Sequence, residues 1–176
     1  DTTLNGGSIT NNGILNFKTL TMNSGSINNF SEINVSNDVI VIKGEINTNG
    51  NITGKNLTID KGVLSGDGIA EFANITSSGT ISPGTGINSS GQLHLISDTT
   101  LTNVSTLVID ISSDNVNDKL SVTGTLSLGG SLHINSISNL TRYSGNTSIN
   151  ILSTSEYVET FSDLTFLNSH YGLLRK

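Results

Sequence analysis

The apolar residues of this chain recur at every second position in short runs. Leu57 and Ile59 flank Thr58, and the run TLVIDI puts Leu107 and Ile109 on one face. A period of two residues predicts β-strands with one buried face. Gly, Asn, Asp and Ser separate the runs, and their close spacing leaves no room for a helix. The pattern therefore predicts an all-β chain.

The same alternation predicts which side chains point into the core. Successive side chains of a strand point to opposite faces, so apolar residues that alternate with polar ones share the buried face. The predicted inward positions are Leu15, Phe17, Leu57, Ile59, Ile81, Leu93, Leu95, Leu107, Ile109, Leu126, Leu128, Leu132 and Ile134.

The strand pattern repeats with a nearly fixed spacing. Triplets in which Gly precedes Ile or Leu by two positions begin at Gly7, Gly25, Gly44, Gly62 and Gly79, in steps of 18, 19, 18 and 17 residues. A second phase runs through triplets that begin at Leu20, Val39, Leu57, Asn74 and Leu93. Two phases with one spacing indicate a repeated structural unit.

A unit of about 18 residues fits one coil of a β-solenoid. At ~3.3 Å per strand residue it spans roughly 60 Å, enough for three short strands joined by bends. Successive coils then stack ~4.8 Å apart as parallel strands. The alternatives are a disordered linker rich in Asn and Ser and a globular β-sandwich. The regular period favours the solenoid over both.

Composition and charge narrow the range of partners. The length of 176 residues allows one domain. The net charge is −6 with only eight Lys and Arg residues, which are scattered, so we expect no nucleic acid and no membrane as partner.

No run approaches the ~20 apolar residues of a membrane helix, and the start DTTLNGG lacks signal-peptide features. We expect a soluble segment whose export signal lies outside it.

The histidines offer little chemistry. His94, His133 and His170 are far apart along the chain, and no His-x-His or Cys spacing accompanies them. His94 and His133 occupy the outward position of a Leu-His-apolar triplet. Each is therefore expected to be a solvated side chain rather than a metal ligand.

The acidic residues give one weak indication of a metal site. Asp110, Asp114 and Asp118 could gather near one turn and bind calcium weakly, although the ligand order of an EF-hand loop is missing. Ordinary turn aspartates are the alternative. No Gly-x-Ser-x-Gly elbow occurs, so the sequence predicts no catalytic, cofactor-binding or metal-binding residue.

Five motifs follow one another in the second half of the chain. They are a Gly-x-Gly pair at Gly66 and Gly68, GTISPG at 79–84, GQLHL at 91–95, STLVIDI at 105–111 and DKLSVTG at 118–124. This order resembles the C-terminal part of autotransporter passenger domains, the exported portion of type V secretion proteins of Gram-negative bacteria. The tail SGNTSINILSTSEYVETFSDLTF is similar to the strands that close the helix in that family.

The resemblance implies a fold. It is a right-handed parallel β-helix of about seven to nine coils over residues 1–135, with residues 136–176 as a C-terminal β cap of the same domain. Right-handed crossovers are also the general preference for parallel strands. More coils are expected before Asp1, and a translocator barrel is expected after Lys176.

The resemblance also implies a function. The chain would be a non-enzymatic adhesin or virulence scaffold at the bacterial cell surface or secreted, whose C-terminal part templates the folding of the passenger. Its partners would be a host-cell surface protein or glycan, or another bacterial cell, together with its own translocator barrel. The alternatives are a released ligand of a host-cell receptor and a passenger whose catalytic residues lie upstream of Asp1.

Overall fold

The computed structural model describes residues 1–85, 90–111, 117–136 and 149–167. These ranges contain sixteen β-strands and no helix, which confirms the all-β prediction. The strands are β1 (Thr2–Asn11), β2 (Ile14–Phe17), β3 (Leu20–Asn29), β4 (Glu32–Val35), β5 (Asp38–Val41), β6 (Glu45–Thr48), β7 (Asn51–Ile59), β8 (Val63–Gly66), β9 (Ile69–Ser77), β10 (Thr80–Pro83), β11 (Gln92–Leu101), β12 (Thr106–Ile111), β13 (Lys119–Ser127), β14 (Ser131–Ser136), β15 (Leu152–Val158) and β16 (Asp163–Leu167).

All sixteen strands belong to one open sheet whose paired strands run parallel. The longer strands turn corners, because the two ends of one strand pair with different neighbours. The first part of β3 pairs with β5 and its second part with β6, while β7 pairs first with β4 and then with β5. The arrangement is consistent with a β-solenoid that has three faces per coil.

Rows of stacked side chains run along the interior of all three faces, and we name one row from each face; their last members, Leu164 and Tyr157, are exposed. The row that we name after Ile27 contains eight stacked positions, seven of which lie within residues 1–135. Its members are Ile9, Ile27, Ile46, Leu64, Ile81, Leu107, Leu132 and Leu164. The Leu57 row contains Leu20, Val39, Leu57, Ile75, Thr99, Leu126 and Tyr157. The Ile52 row contains Leu15, Ile33, Ile52, Ala70, Leu95, Val122 and Thr154.

The predicted inward positions form part of this core. Those from Leu57 to Leu128 and Ile134 are buried, whereas Leu15, Phe17 and Leu132 are partly buried and pack against the core. Leu15 and Phe17 lie in β2, which pairs only with β4. They therefore lack a neighbouring coil on one side, and this explains their exposure.

Two positions in the predicted second phase are wrong. Leu57 pairs with Ile75 rather than with Asn74, and Ile75 pairs with Thr99 rather than continuing the row to Leu93. Leu93 instead lies two residues before Leu95, which belongs to the Ile52 row. The larger displacement, at Leu93, is caused by a longer coil. Side chains bonded between early coils are 18 residues apart, but Thr102 and Ser78 are 24 residues apart.

The end of the described chain continues the same ladders. β15 pairs in parallel with β13, and β16 pairs in parallel with β14. Residues 149–167 thus add strands to two of the faces. The right-handed sense of the coil and the division into coils and cap stay predictions.

Buried asparagines occupy one corner of the first coils. Asn29 is fully buried, and its Oδ1 accepts a hydrogen bond from Asn11 Nδ2 at 2.8 Å. Its Nδ2 donates to Thr48 Oγ1 at 3.1 Å and to the carbonyl of Asn51 at 2.9 Å. Buried amides need such partners because an unpaired polar group is costly. The ladder thus fixes the bend between two faces, coil after coil.

Candidate functional site

The outer surface carries ladders of polar side chains along the stacking direction. Asn56 Nδ2 donates to Asp38 Oδ1 at 2.8 Å, and Asn74 Nδ2 donates to Asn56 Oδ1 at 3.1 Å. Each partner comes from the next coil, because parallel strands in register place equivalent residues side by side. The Asn side chains of this ladder therefore link successive coils on the outer face of the sheet.

A groove opens beside one of these ladders. Asn34 Nδ2 donates to Asn16 Oδ1 at 3.3 Å, and Thr53 Oγ1 donates to Asn34 Oδ1 at 3.2 Å. Where that ladder ends at Thr53, the surface forms a groove of about 370 Å³. Its lining residues are Val35, Ser36, Thr53, Gly54, Lys55 and Glu71. We call it the Lys55 groove.

Two opposite charges stand at the Lys55 groove. Thr53 pairs with Glu71 in the sheet, and Lys55 follows two residues after Thr53. Lys55 and Glu71 are exposed, and the side chain of neither bonds to a residue that the structure describes. An ammonium group can donate hydrogen bonds to a polar ligand, a carboxylate can accept them, and neighbouring hydroxyls can do both. The groove can thus hold a polar ligand through hydrogen bonds.

The sequence did not predict the Lys55 groove. Lys55 and Glu71 are isolated charges in different repeats, and nothing in their spacing separates them from other surface residues. The available signal was the period itself, because Thr53 and Glu71 are 18 positions apart and hence adjacent in neighbouring coils. Gly54 gives a second signal. It follows Thr53, which pairs with Asn34, whereas in the earlier coils the residue after the paired Asn is Phe17 or Val35.

The structure brings two of the three predicted acidic residues together. Asp118 is fully buried and Asp110 is 4% exposed. Asp118 Oδ1 accepts the N–H of Gly91 and its Oδ2 accepts the N–H of Asp110, both at 2.8 Å. Asn135 Nδ2 donates to Asp110 Oδ1 at 2.8 Å. Asp114 lies outside the described residues.

Burial raises the pKa of Asp118 to about 7. The loss of water around the carboxylate is the largest cause, and the negative charges of Asp110 and Asp67 act in the same direction. The two backbone N–H groups oppose the rise because they stabilise the ionised form. Asp118 is thus a buried titratable group and not an ordinary turn aspartate.

This geometry gives the calcium interpretation no support. Both oxygens of Asp118 already accept backbone hydrogen bonds, so a cation at that carboxylate would displace protein donors. Within the described part of the chain, no three His, Cys, Asp or Glu residues are placed to hold a metal ion. The sequence suggested proximity for Asp110 and Asp118 correctly, but it did not indicate that they are buried.

The histidines lie on different strands. His94 is half-buried in β11, and its Nε2 is 2.9 Å from Thr123 Oγ1 on the outer face. His133 is half-buried in β14, on a different face of the coil. The structure therefore does not bring these two together, and His170 lies outside the described residues.

No protein family, curated protein or solved structure matches this chain. Among the described residues, no helix is long and apolar enough to cross a membrane.

Proposed function

We propose that this chain is a segment of an autotransporter passenger domain. In this proposal it is a right-handed parallel β-helix with a C-terminal cap, carried on the surface of a Gram-negative bacterium or released from it. It acts without catalysis, as an adhesive scaffold that presents a binding surface to a host-cell protein or glycan or to another bacterial cell.

One observation carries the proposal, namely how the sequence motifs fall on the strands. The first Gly of the Gly-x-Gly pair ends β8 and the second directly precedes β9; GTISPG contains β10, GQLHL opens β11, STLVIDI contains β12 and DKLSVTG opens β13. The motifs that resemble the family therefore lie on strands of the same parallel stack, in chain order. This is the relation expected if each motif specifies a strand of a coil and the bend beside it.

The physical properties of the stack suit a surface scaffold. Backbone hydrogen bonds between coils and the stacked apolar rows of the interior hold the chain together without disulfides, since it has no Cys. Each coil contacts its neighbours above and below, so a solenoid extends a rigid surface in one direction. Side-chain ladders satisfy much of the outer polar surface and leave local features such as the Lys55 groove for recognition.

We place the contact with the partner at the Lys55 groove. It is a shallow, open depression, and its exposed ammonium and carboxylate groups have no partner among the described residues. A hydrogen bond to a charged group contributes about 1.5–3 kcal/mol. A glycan or a polar peptide loop could satisfy both charges at once, which would give the surface a preferred partner.

The test is adhesion by the displayed chain. The chain, fused to an export signal and a translocator barrel, is displayed on a Gram-negative host and bound to cultured epithelial cells. We expect the double variant Lys55→Ala, Glu71→Ala to reduce apparent affinity by about tenfold or more, since each 1.4 kcal/mol is a factor of ten.

The matched control removes another pair of opposite charges. Asp60 and Lys61 are exposed in the turn between β7 and β8, away from the groove, and Asp60→Ala, Lys61→Ala should adhere normally. Equal loss in both variants would show a charge effect without a groove. Adhesion by the purified chain but not by displaying cells would favour the released ligand. Failure of both would refute the adhesive function.

A further inference from the structure

We propose that the junction at Asp118 is a pH-sensitive joint in the stack of coils, firm while the carboxyl group is protonated and looser once it is ionised. The inference goes beyond the proposed function and does not depend on it. It concerns a buried group that the adhesive surface does not use.

The joint ties three strands through one side chain. Asp118 Oδ1 holds the N–H of Gly91, just before β11, and Oδ2 holds the N–H of Asp110 in β12. The backbone N–H of Asp118 donates to the carbonyl of Asp110 at 2.8 Å, and that of Lys119 in β13 donates to Gly91 at 2.9 Å. The start of β11, the end of β12 and the start of β13 therefore meet at a single carboxyl group.

Burial and neighbouring negative charges make ionisation unfavourable, and burial outweighs the two backbone N–H groups that favour the ionised form. Asp118 has no exposed surface, and the charges that act on it belong to Asp110 in β12 and to Asp67, which follows β8. Asp67 lies against the backbone of Gly91, where a Cβ would overlap its carboxyl group. Asn135 in β14 donates to Asp110. Lys119 is the nearest cation in sequence.

The sign of the pH effect follows from proton uptake. The pKa of Asp118 is 3.8 without its folded surroundings and about 7 in the fold. Between these values the folded form binds the proton more tightly, so the stability that this group contributes decreases as pH rises. The contribution is complete below 3.8 and is lost as pH rises to about 7. From pH 5 to pH 8 this corresponds to about a hundredfold rise in the opening equilibrium constant, at tenfold per pH unit across the window.

The effect should be local. In a solenoid each coil contacts only its neighbours, so a weakened contact opens the coils that share it before the rest. The backbone amides of Gly91 and Asp110 report opening directly because Asp118 is their acceptor. Ile46 and Ile52 lie in earlier coils, are fully buried, and serve as reference amides.

The experiment is hydrogen exchange resolved to single amides at pH 5, 6, 7 and 8, with the intrinsic pH dependence of exchange removed. Opening at Gly91 and Asp110 should rise by about a hundredfold relative to Ile46 and Ile52. In the variant Asp118→Asn this rise should disappear, because the amide does not titrate.

Asp98→Asn is the matched control. Asp98 Oδ1 accepts the N–H of Thr125 at 2.9 Å across 27 residues, the same separation as between Gly91 and Asp118, but Asp98 is exposed. This variant should keep the pH dependence of the unaltered chain. Retention of that dependence by Asp118→Asn would overturn the proposal.

A second measurement covers the case in which Asp118→Asn does not fold. The carboxyl carbon of Asp118, observed by NMR in the unaltered chain, should titrate with a midpoint near 7, as its raised pKa requires. A midpoint below about 5 would leave no proton to release in this window and would equally overturn the proposal.

Discussion

At the scale of single residues, Ser77 is a polar residue in a row of apolar side chains. Its row contains Met22, Val41 and Ile59 on one side and Leu101 on the other. Ser77 is fully buried, and its hydroxyl has no hydrogen-bond partner among the residues that the structure describes. A buried hydroxyl without a partner costs free energy that an apolar side chain of similar size does not.

We therefore expect Ser77→Ala to raise the free energy of unfolding by about 1 kcal/mol, because it removes an unsatisfied group with little loss of volume. Ser65→Ala is the comparison, since Ser65 is also buried but donates to Glu45 Oε1 at 2.6 Å. That change should lower stability by about 1–3 kcal/mol. Urea unfolding measures both, and a less stable Ser77→Ala would show that its hydroxyl has a partner after all.

Sequence patterns predict residues of this kind unevenly. Alternation correctly identified Leu107 and Ile109 as inward, because the local pattern of two apolar residues on either side of an outward one is sufficient for that prediction. It could not identify Asp118 as buried, since an Asp between a turn and a strand looks like any turn aspartate. Burial there depends on Gly91, which lies 27 residues away in the chain.

At the scale of the elements, the structure explains why the repeat requires Gly, which the sequence alone does not. Gly44 has a φ of 92°, and a Cβ there would overlap the carbonyl oxygen of Gly25 in the previous coil. Only Gly adopts such a backbone readily. The triplet thus marks a point where successive coils approach closely at a bend.

We expect Gly44→Ala to destabilise the chain by about 1–3 kcal/mol through backbone strain, with the contact to Gly25 adding to it. Gly13→Ala is the control, because a Cβ at Gly13 meets nothing within 4 Å. That change should be neutral or stabilising by about 0.4–1 kcal/mol through the unfolded chain. Thermal unfolding distinguishes the two, and equal midpoints would argue against a steric role for the bend.

The elements were predictable where the period held. Five Gly triplets placed Ile9, Ile27, Ile46, Leu64 and Ile81 in one row, and the structure stacks them so. The prediction for Leu93 was wrong because the next coil is longer. A period counted along the chain assumes equal coils, whereas pairing depends on which residues meet in space. Strands that turn a corner were missed for the same reason, since alternation does not show a bend.

At the scale of the whole molecule, the described chain is one continuous stack whose two ends differ in composition but share the same rows. Leu57 and Leu126 are equivalent members of the Leu57 row, in β7 and β13, and both are buried. The proposal that the C-terminal part templates folding is therefore open to a matched comparison. The two residues have the same side chain, row and face, and differ in their place along the stack.

We expect the two alanine variants to differ in kinetics rather than in stability. Leu57→Ala and Leu126→Ala should each cost about 2–5 kcal/mol, because each leaves a cavity in the interior. If the C-terminal coils form first, Leu126→Ala should mainly slow folding, with a φ-value above about 0.5, whereas Leu57→Ala should mainly speed unfolding, with a φ-value below about 0.3. Stopped-flow refolding and unfolding across a denaturant series gives both values. Equal φ-values, or the larger one at Leu57, would mean that the C-terminal coils do not template the rest. The stack would then nucleate elsewhere, as nearest-neighbour coupling between coils allows.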